Sequence, residues 1–163
     1  MTHQCRQNCS ALFLLFLVDT QKKIWIICSS LVHWAKHRAR RDRGKWSMLT
    51  SQKLTWHGQR GMRWNQLLPK VKTLMRSATP PEMLFIHLGG NDFVTTPMRK
   101  LTEQAQCDMK ALAELCPHTA IIWSDVLPRI KYRGANANNK MEKICKTFNS
   151  SMRAYVRKLG TMK

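Results

Sequence analysis

The chain has 163 residues and a mass of 19.0 kDa, enough for one domain and too short for two full ones. Its 44% hydrophobic and 8% aromatic content, with only 7 Gly and 6 Pro, excludes collagen-like, low-complexity and wholly disordered chains. Its 28 Lys and Arg against 9 Asp and Glu give a formal net charge of +19, an imbalance that favours contact with polyanions.

The apolar run of residues 11–18 is far shorter than the roughly 20 residues of a membrane-spanning helix, so no stable membrane span is expected. It lies at the low end of a signal-peptide core, yet Arg6 is its only preceding charge and no small-residue cleavage pattern follows. Residues 1–22 are read as an apolar extension and 23–163 as the domain. Asn8 and Asn149 each open an Asn-x-Ser triplet, which matters only in a secreted protein. The 6 cysteines contain no Cys-x-x-Cys pair and no dense framework, which favours a reduced, cytoplasmic or intracellular setting.

Ile24-Trp25-Ile26-Ile27-Cys28 is a continuous β-branched and aromatic run, the pattern of a central strand buried on both faces of a parallel sheet. A helix is predicted over 31–41, its cationic end complementing the helix dipole and Gly44 closing it. Leu54 to His57 reads as a short strand closed by Gly58. Trp64, Leu67, Leu68, Val71, Leu74 and Met75 then recur at helical spacing. Pro69 requires that helix either to kink or to begin later than the periodicity suggests. After the break at Pro80-Pro81, Met83 to Leu88 is a second buried strand. Leu101, Ala105, Met109, Leu112 and Cys116 form the stripe of another helix, with Pro97 in its first turn. Thr119 to Trp123 is a further strand, 128–139 a polar loop, and Met141 to Leu159 a final amphipathic helix.

Apolar strands alternating with amphipathic helices predict an open parallel α/β sheet whose site lies beyond the carboxyl ends of the strands. Those places read Cys28-Ser29-Ser30-Leu31, His57-Gly58-Gln59-Arg60-Gly61, Gly89-Gly90-Asn91-Asp92 and Ser124-Asp125. A hydroxyl at a strand-to-helix turn is a candidate nucleophile, which selects Ser30. A tight glycine turn and a carboxamide can supply donors to a developing oxyanion, which selects Gly61 and Asn91. Read singly, Ser30 is a helix cap, the glycines are turn residues and Asp92 is structural. The case rests on their combination.

These residues resemble the SGNH (GDSL-type) hydrolases, serine esterases and acylhydrolases of flavodoxin-like three-layer α/β/α fold. The family's Gly-Asp-Ser-Leu block is similar to Cys28-Ser29-Ser30-Leu31, which makes Ser30 the match to the nucleophile. Its second-block glycine is matched by Gly61, and its Gly-x-Asn-Asp block in full by Gly89-Gly90-Asn91-Asp92. The resemblance implies an oxyanion hole from the Ser and Gly backbone N–H groups and the Asn91 amide, a small ester or acylated substrate, no cofactor and no metal. It covers about residues 24–160, and the wording of its blocks looks like an esterase-like group of vertebrate genomes. Cys28-Ser29 stands where the family has Gly-Asp, and the family's C-terminal Asp-x-x-His block has no match before Lys163. The expectation is a chain that stops before a last strand and loop, and a weak or inactive hydrolase, since a serine without its base is a poor nucleophile.

His57 and His87 are internal alternatives for the base. His33 and His37 share a helix spacing but lack the Glu and third ligand of a zinc motif. The alternative reading, from the charge, is a nucleic-acid-binding module on an inactive hydrolase scaffold, with Arg38, Arg40, Arg41, Arg43 and Lys45 as its contacts to RNA or DNA. The tryptophans lie mostly in apolar runs and are expected in the core rather than stacked on bases.

Overall fold

The computed structural model describes residues 22–29, 54–132, 134 and 138–161, together with Trp34, His37 and Arg41. Four strands, β1 (Ile24–Cys28), β2 (Leu54–Gly58), β3 (Met83–His87) and β4 (Ala120–Trp123), form one parallel sheet in the order β2-β1-β3-β4. β1 lies between β2 and β3, as its uninterrupted apolar run requires. Ile27 and Cys28 have no exposed surface, and Trp25 and Ile26 are nearly as deeply buried.

The helices among the described residues are α1 (Leu67–Ser77), α2 (Met98–Leu115) and α3 (Asn138–Thr161). Trp25, Ile27, Leu84 and Ile86 point to the same side and pack with Leu67 and Val71 of α1, Leu112 of α2, and Phe148 and Met152 of α3. The alternate residues Ile24, Ile26 and Met83 form a second cluster on the opposite face with Leu54, Trp56, Phe85 and Ile122. This period-2 division follows from strand geometry. Each fully buried aliphatic side chain contributes roughly 1.5–3 kcal/mol. Emptying a central position by Leu112→Ala would cost about 2–5 kcal/mol.

The position of Pro69 decides how α1 begins. A one-turn 3-10 helix at Trp64–Gln66 carries the start of the apolar stripe, and the α-helix opens only at Leu67. Pro69 thereby falls in the first turn, where a missing N–H breaks no helical bond, and no kink is needed. Pro97 lies one step earlier than expected. It is the cap of α2, and its carbonyl accepts the first helical bond from Leu101 N–H at 3.0 Å. α3 begins at Asn138, slightly before the expected end of the polar loop.

The helix predicted over 31–41 falls largely outside the described residues, although Trp34, His37 and Arg41 are helical and exposed. Trp34 departs from the expected core role of the tryptophans. It is 58% exposed, with the Arg60 guanidinium 5.8 Å from its ring centre. Among the described residues no helix is long and apolar enough to cross a membrane.

Candidate active site

Strand register assembles the site. Cys28 pairs with both Gly58 and His87, and Ile86 pairs with Trp123. Two bonds carry the ladders past the strand ends, Gln59 N–H to Cys28 O at 3.0 Å and Ser124 N–H to Ile86 O at 2.9 Å. Segments 28–29, 58–61, 88–92 and 124–125 therefore emerge at one edge of the sheet, where ligands of open α/β sheets bind. Ser29 is there and buried. Ser30, the candidate nucleophile, lies outside the described residues, as do Arg38, Arg40, Arg43 and Lys45. Of that basic run only Arg41 is described, and it is exposed.

The turn after β3 clamps the segment after β2. Asp92 N–H donates to Gly89 O at 2.9 Å and closes the turn. Asn91 Nδ2 donates to Met62 O at 2.9 Å. The neighbouring Asp92 carboxylate accepts from Trp64 N–H, at 3.3 Å to Oδ1 and 3.1 Å to Oδ2. Two adjacent side chains thus hold residues 62–64 and draw Gly61 alongside Asn91. Gly61 has φ +69 and occupies the third position of a turn closed by Met62 N–H and Gln59 O at 3.3 Å. A left-handed residue suits that position. Gly61, Gly90 and Asn91 line one open cavity of about 470 Å³, so Gly61 and Asn91 face the same space.

Asp92 is structural, as its sequence context suggests. It is 4% exposed, and burial raises its pKa from 3.8 to about 6, against the Trp64 N–H and the Arg63 charge. Trp64 is anchored a second time by Nε1–H to Asp108 Oδ2 at 3.0 Å, and Gln104 Nε2 donates to Asp108 Oδ1 at 2.9 Å.

The two histidines proposed as bases separate. His57 is a β2 residue whose ring packs edge-on against Trp25, with 5.4 Å between ring centres. His87, at the end of β3, is 8% exposed and has Nδ1 3.1 Å from Ser124 Oγ. It lines a cavity of about 10 Å³, the size of one water molecule, with Ser29, Gly90 and Arg129. Burial, and then the Arg129 charge, lower its pKa below the ordinary imidazole value, which favours the neutral ring.

Arg129 is the functional candidate that sequence reasoning missed. Its Nη2 donates to Asn91 Oδ1 at 2.9 Å, so both ends of the Asn91 carboxamide are held and its orientation is set. The 124–132 loop that carries Arg129 is tied to α3. Asn149 accepts from Val126 N–H at 2.8 Å and donates to Val126 O at 2.9 Å, and Arg153 pairs with Asp125. The Asn149 amide of the Asn-Ser-Ser triplet is thus buried and engaged, which removes it as a glycan acceptor in the folded chain. His33 lies outside the described residues, and among the described ones no group of three metal-ligating side chains occurs.

No family model matches the chain, and no curated protein matches it in sequence. Solved structures do match in fold. A proposed acylhydrolase from Bacteroides fragilis superposes with TM-score 0.64 at 14% identity, over 97% of this chain and 75% of that one. A psychrotrophic esterase from a Pseudoalteromonas species gives 0.59 at 17% identity, over 87% and 74%. A member of the lipolytic G-D-S-L family from Veillonella parvula gives 0.58 at 12% identity, over 83% and 73%. The fold is that of the SGNH (GDSL) hydrolases. The strand order and the parallel register agree with that three-layer architecture.

Proposed function

We propose that the chain is an SGNH-type serine esterase or acylhydrolase-like domain, of low or no activity in these 163 residues. The observation that carries the reading is the meeting of Gly61 and Asn91 on one cavity, with the Asn91 carboxamide fixed at both ends. One Asn91 N–H is committed to Met62 O, and the second is the donor available to an oxyanion. In this reading Ser30 Oγ attacks the ester carbonyl, while the Asn91 amide and backbone N–H groups of the Ser and Gly turns stabilise the developing negative charge. The leaving alcohol departs, and water releases the acyl group from serine.

Low activity follows from the proton acceptor. No Asp-x-x-His occurs in residues 1–163. His87 is held against Ser124 and its basicity is lowered, so it would take the serine proton weakly. Covalent labelling by a fluorophosphonate tests the reading. Labelling that disappears in Ser30→Ala and falls roughly 100-fold or more in Asn91→Ala supports it. No labelling at any concentration retires the active form.

A further inference from the structure

The cavity beside Asn91 has a charge pattern that oxyanion stabilisation does not require. Arg63, Arg129 and Lys131 line it, and among the described residues no carboxylate does. None of the ion pairs among the described residues includes any of the three. Asp92, next to Asn91 in the chain, is buried, and its carboxylate accepts from the Trp64 N–H rather than lining the cavity.

Arg129 is also held in advance of any ligand. Its Nη2 is on Asn91 Oδ1, its own backbone N–H donates to Tyr132 Oη at 3.3 Å, and its guanidinium lies 5.9 Å from the centre of the buried Tyr132 ring. A guanidinium has five N–H donors in a planar fork, so a carboxylate or phosphate can still be bound on its free edge. Arg63 and Lys131 are exposed and can close on the same group. At about 470 Å³ the cavity accommodates a small molecule, with its reactive end at Asn91.

We propose that this cavity binds an anionic group, a carboxylate or phosphate, on the small ester that the site accepts. The ester rests on the esterase reading above, and the anionic group on the three cations. The shared oxyanion chemistry sets no preference between carboxylate and phosphate.

Two measurements on the whole chain test it. Inorganic phosphate is titrated at constant ionic strength while the backbone amide signals of Gly61, Asn91 and Lys131 are followed by NMR. Saturable shifts are expected at these residues, with affinity roughly tenfold weaker in Arg63→Gln/Lys131→Gln, the combined effect of two partly exposed charge pairs. Absence of saturable shifts, or equal affinity in the double variant, overturns the proposal. In parallel, hydrolysis of a naphthyl monosuccinate and a naphthyl butyrate is compared. A higher kcat/KM for the monosuccinate, with a ratio that falls in the double variant, supports the substrate class, and equal rates overturn it. Phosphate binding without fluorophosphonate labelling retires the active form and with it the ester assignment, whereas labelling without phosphate binding retires the anion alone. An RNA oligomer that displaces phosphate with a steep salt dependence overturns the small-ester assignment in favour of a polyanion.

Discussion

Replacing Gly89 by alanine tests whether the turn after β3 is built around the absence of a side chain. A Cβ on Gly89 would lie 2.8 Å from Phe148 Cε1 and 3.2 Å from Cζ. Phe148 cannot swing away freely, because its fully buried ring is edge-on to Trp64, Phe93 and Trp123, with centres 5.5–5.9 Å apart. Forcing that ring aside costs about 1–3 kcal/mol. Gly89 also has φ +111, beyond the left-handed well near +57° that L-residues occasionally enter, which adds about 1–2 kcal/mol. The expected loss is therefore about 3 kcal/mol, a large part of the roughly 5–15 kcal/mol that stabilises a domain. Gly61→Ala is the internal control. Gly61 has φ +69 and nothing within 4 Å of its added Cβ, so only the backbone term, about 1 kcal/mol, applies. Urea unfolding of the wild type and both variants gives the difference from the midpoints at constant slope. If Gly89→Ala is no less stable than Gly61→Ala, the close approach of Phe148 does not constrain this turn.

Asp92 predicts a pH signature of unusual sign for a carboxylate. Its folded pKa of about 6 lies above the unfolded 3.8, so the folded state holds the proton more tightly and loses stability as pH rises through that interval. The whole shift corresponds to about 3 kcal/mol, and Asp92→Asn should flatten the slope between about pH 4 and 6, measured by urea midpoints. An unchanged slope would show that the carboxylate is already ionised in the folded protein. Removing the neighbouring cation in Arg129→Gln should raise the pKa of His87, followed by NMR of the ring protons, and should slow any fluorophosphonate labelling by freeing the Asn91 amide. A His87 titration unmoved by that change would leave burial as the sole cause. The polyanion reading has its own test. Neutralising Arg38, Arg40, Arg41, Arg43 and Lys45 together should reduce the salt slope of nucleic-acid binding by up to about 4, and a wild type that fails to bind at low salt would end that reading.

The sheet was legible in the sequence because burial on both faces leaves an unambiguous mark. Ile24 to Cys28 has no polar residue to confuse its assignment, and in a parallel sheet the carboxyl ends of all four strands point to one edge whatever the details between them. Gly61 and Asn91 were legible for the same reason, since strand ends place them before any side-chain contact is known. Arg129 was not. Its role depends on the path of the 124–132 loop, which is fixed by Asn149 and Arg153 of α3, more than 20 residues away in the chain. Position within a loop has no period to read. The division between His57 and His87 was equally hidden, because it depends on which neighbour each ring meets, Trp25 in one case and Ser124 in the other.

The tetrapeptide Gly89-Gly90-Asn91-Asp92 shows how a short motif can be specific when its parts answer to different constraints. Gly89 is required by a positive φ and by the approach of Phe148. At Gly90 a Cβ would meet Val126 Cγ1 at 2.9 Å and the Arg129 guanidinium at 3.1 Å, so this glycine leaves room for the loop that orients Asn91. Asn91 then supplies the amide, and Asp92 fixes the 62–64 segment that carries Gly61 into place. Each of the four residues thus answers to a different neighbour. It follows that Gly90→Ala should act on the site through Arg129 rather than through the substrate, with His87 and Asn91 signals shifting together in NMR while Gly61 stays fixed. Movement of Gly61 instead would place the effect in the Asp92–Trp64 clamp and separate the two supports of the carboxamide.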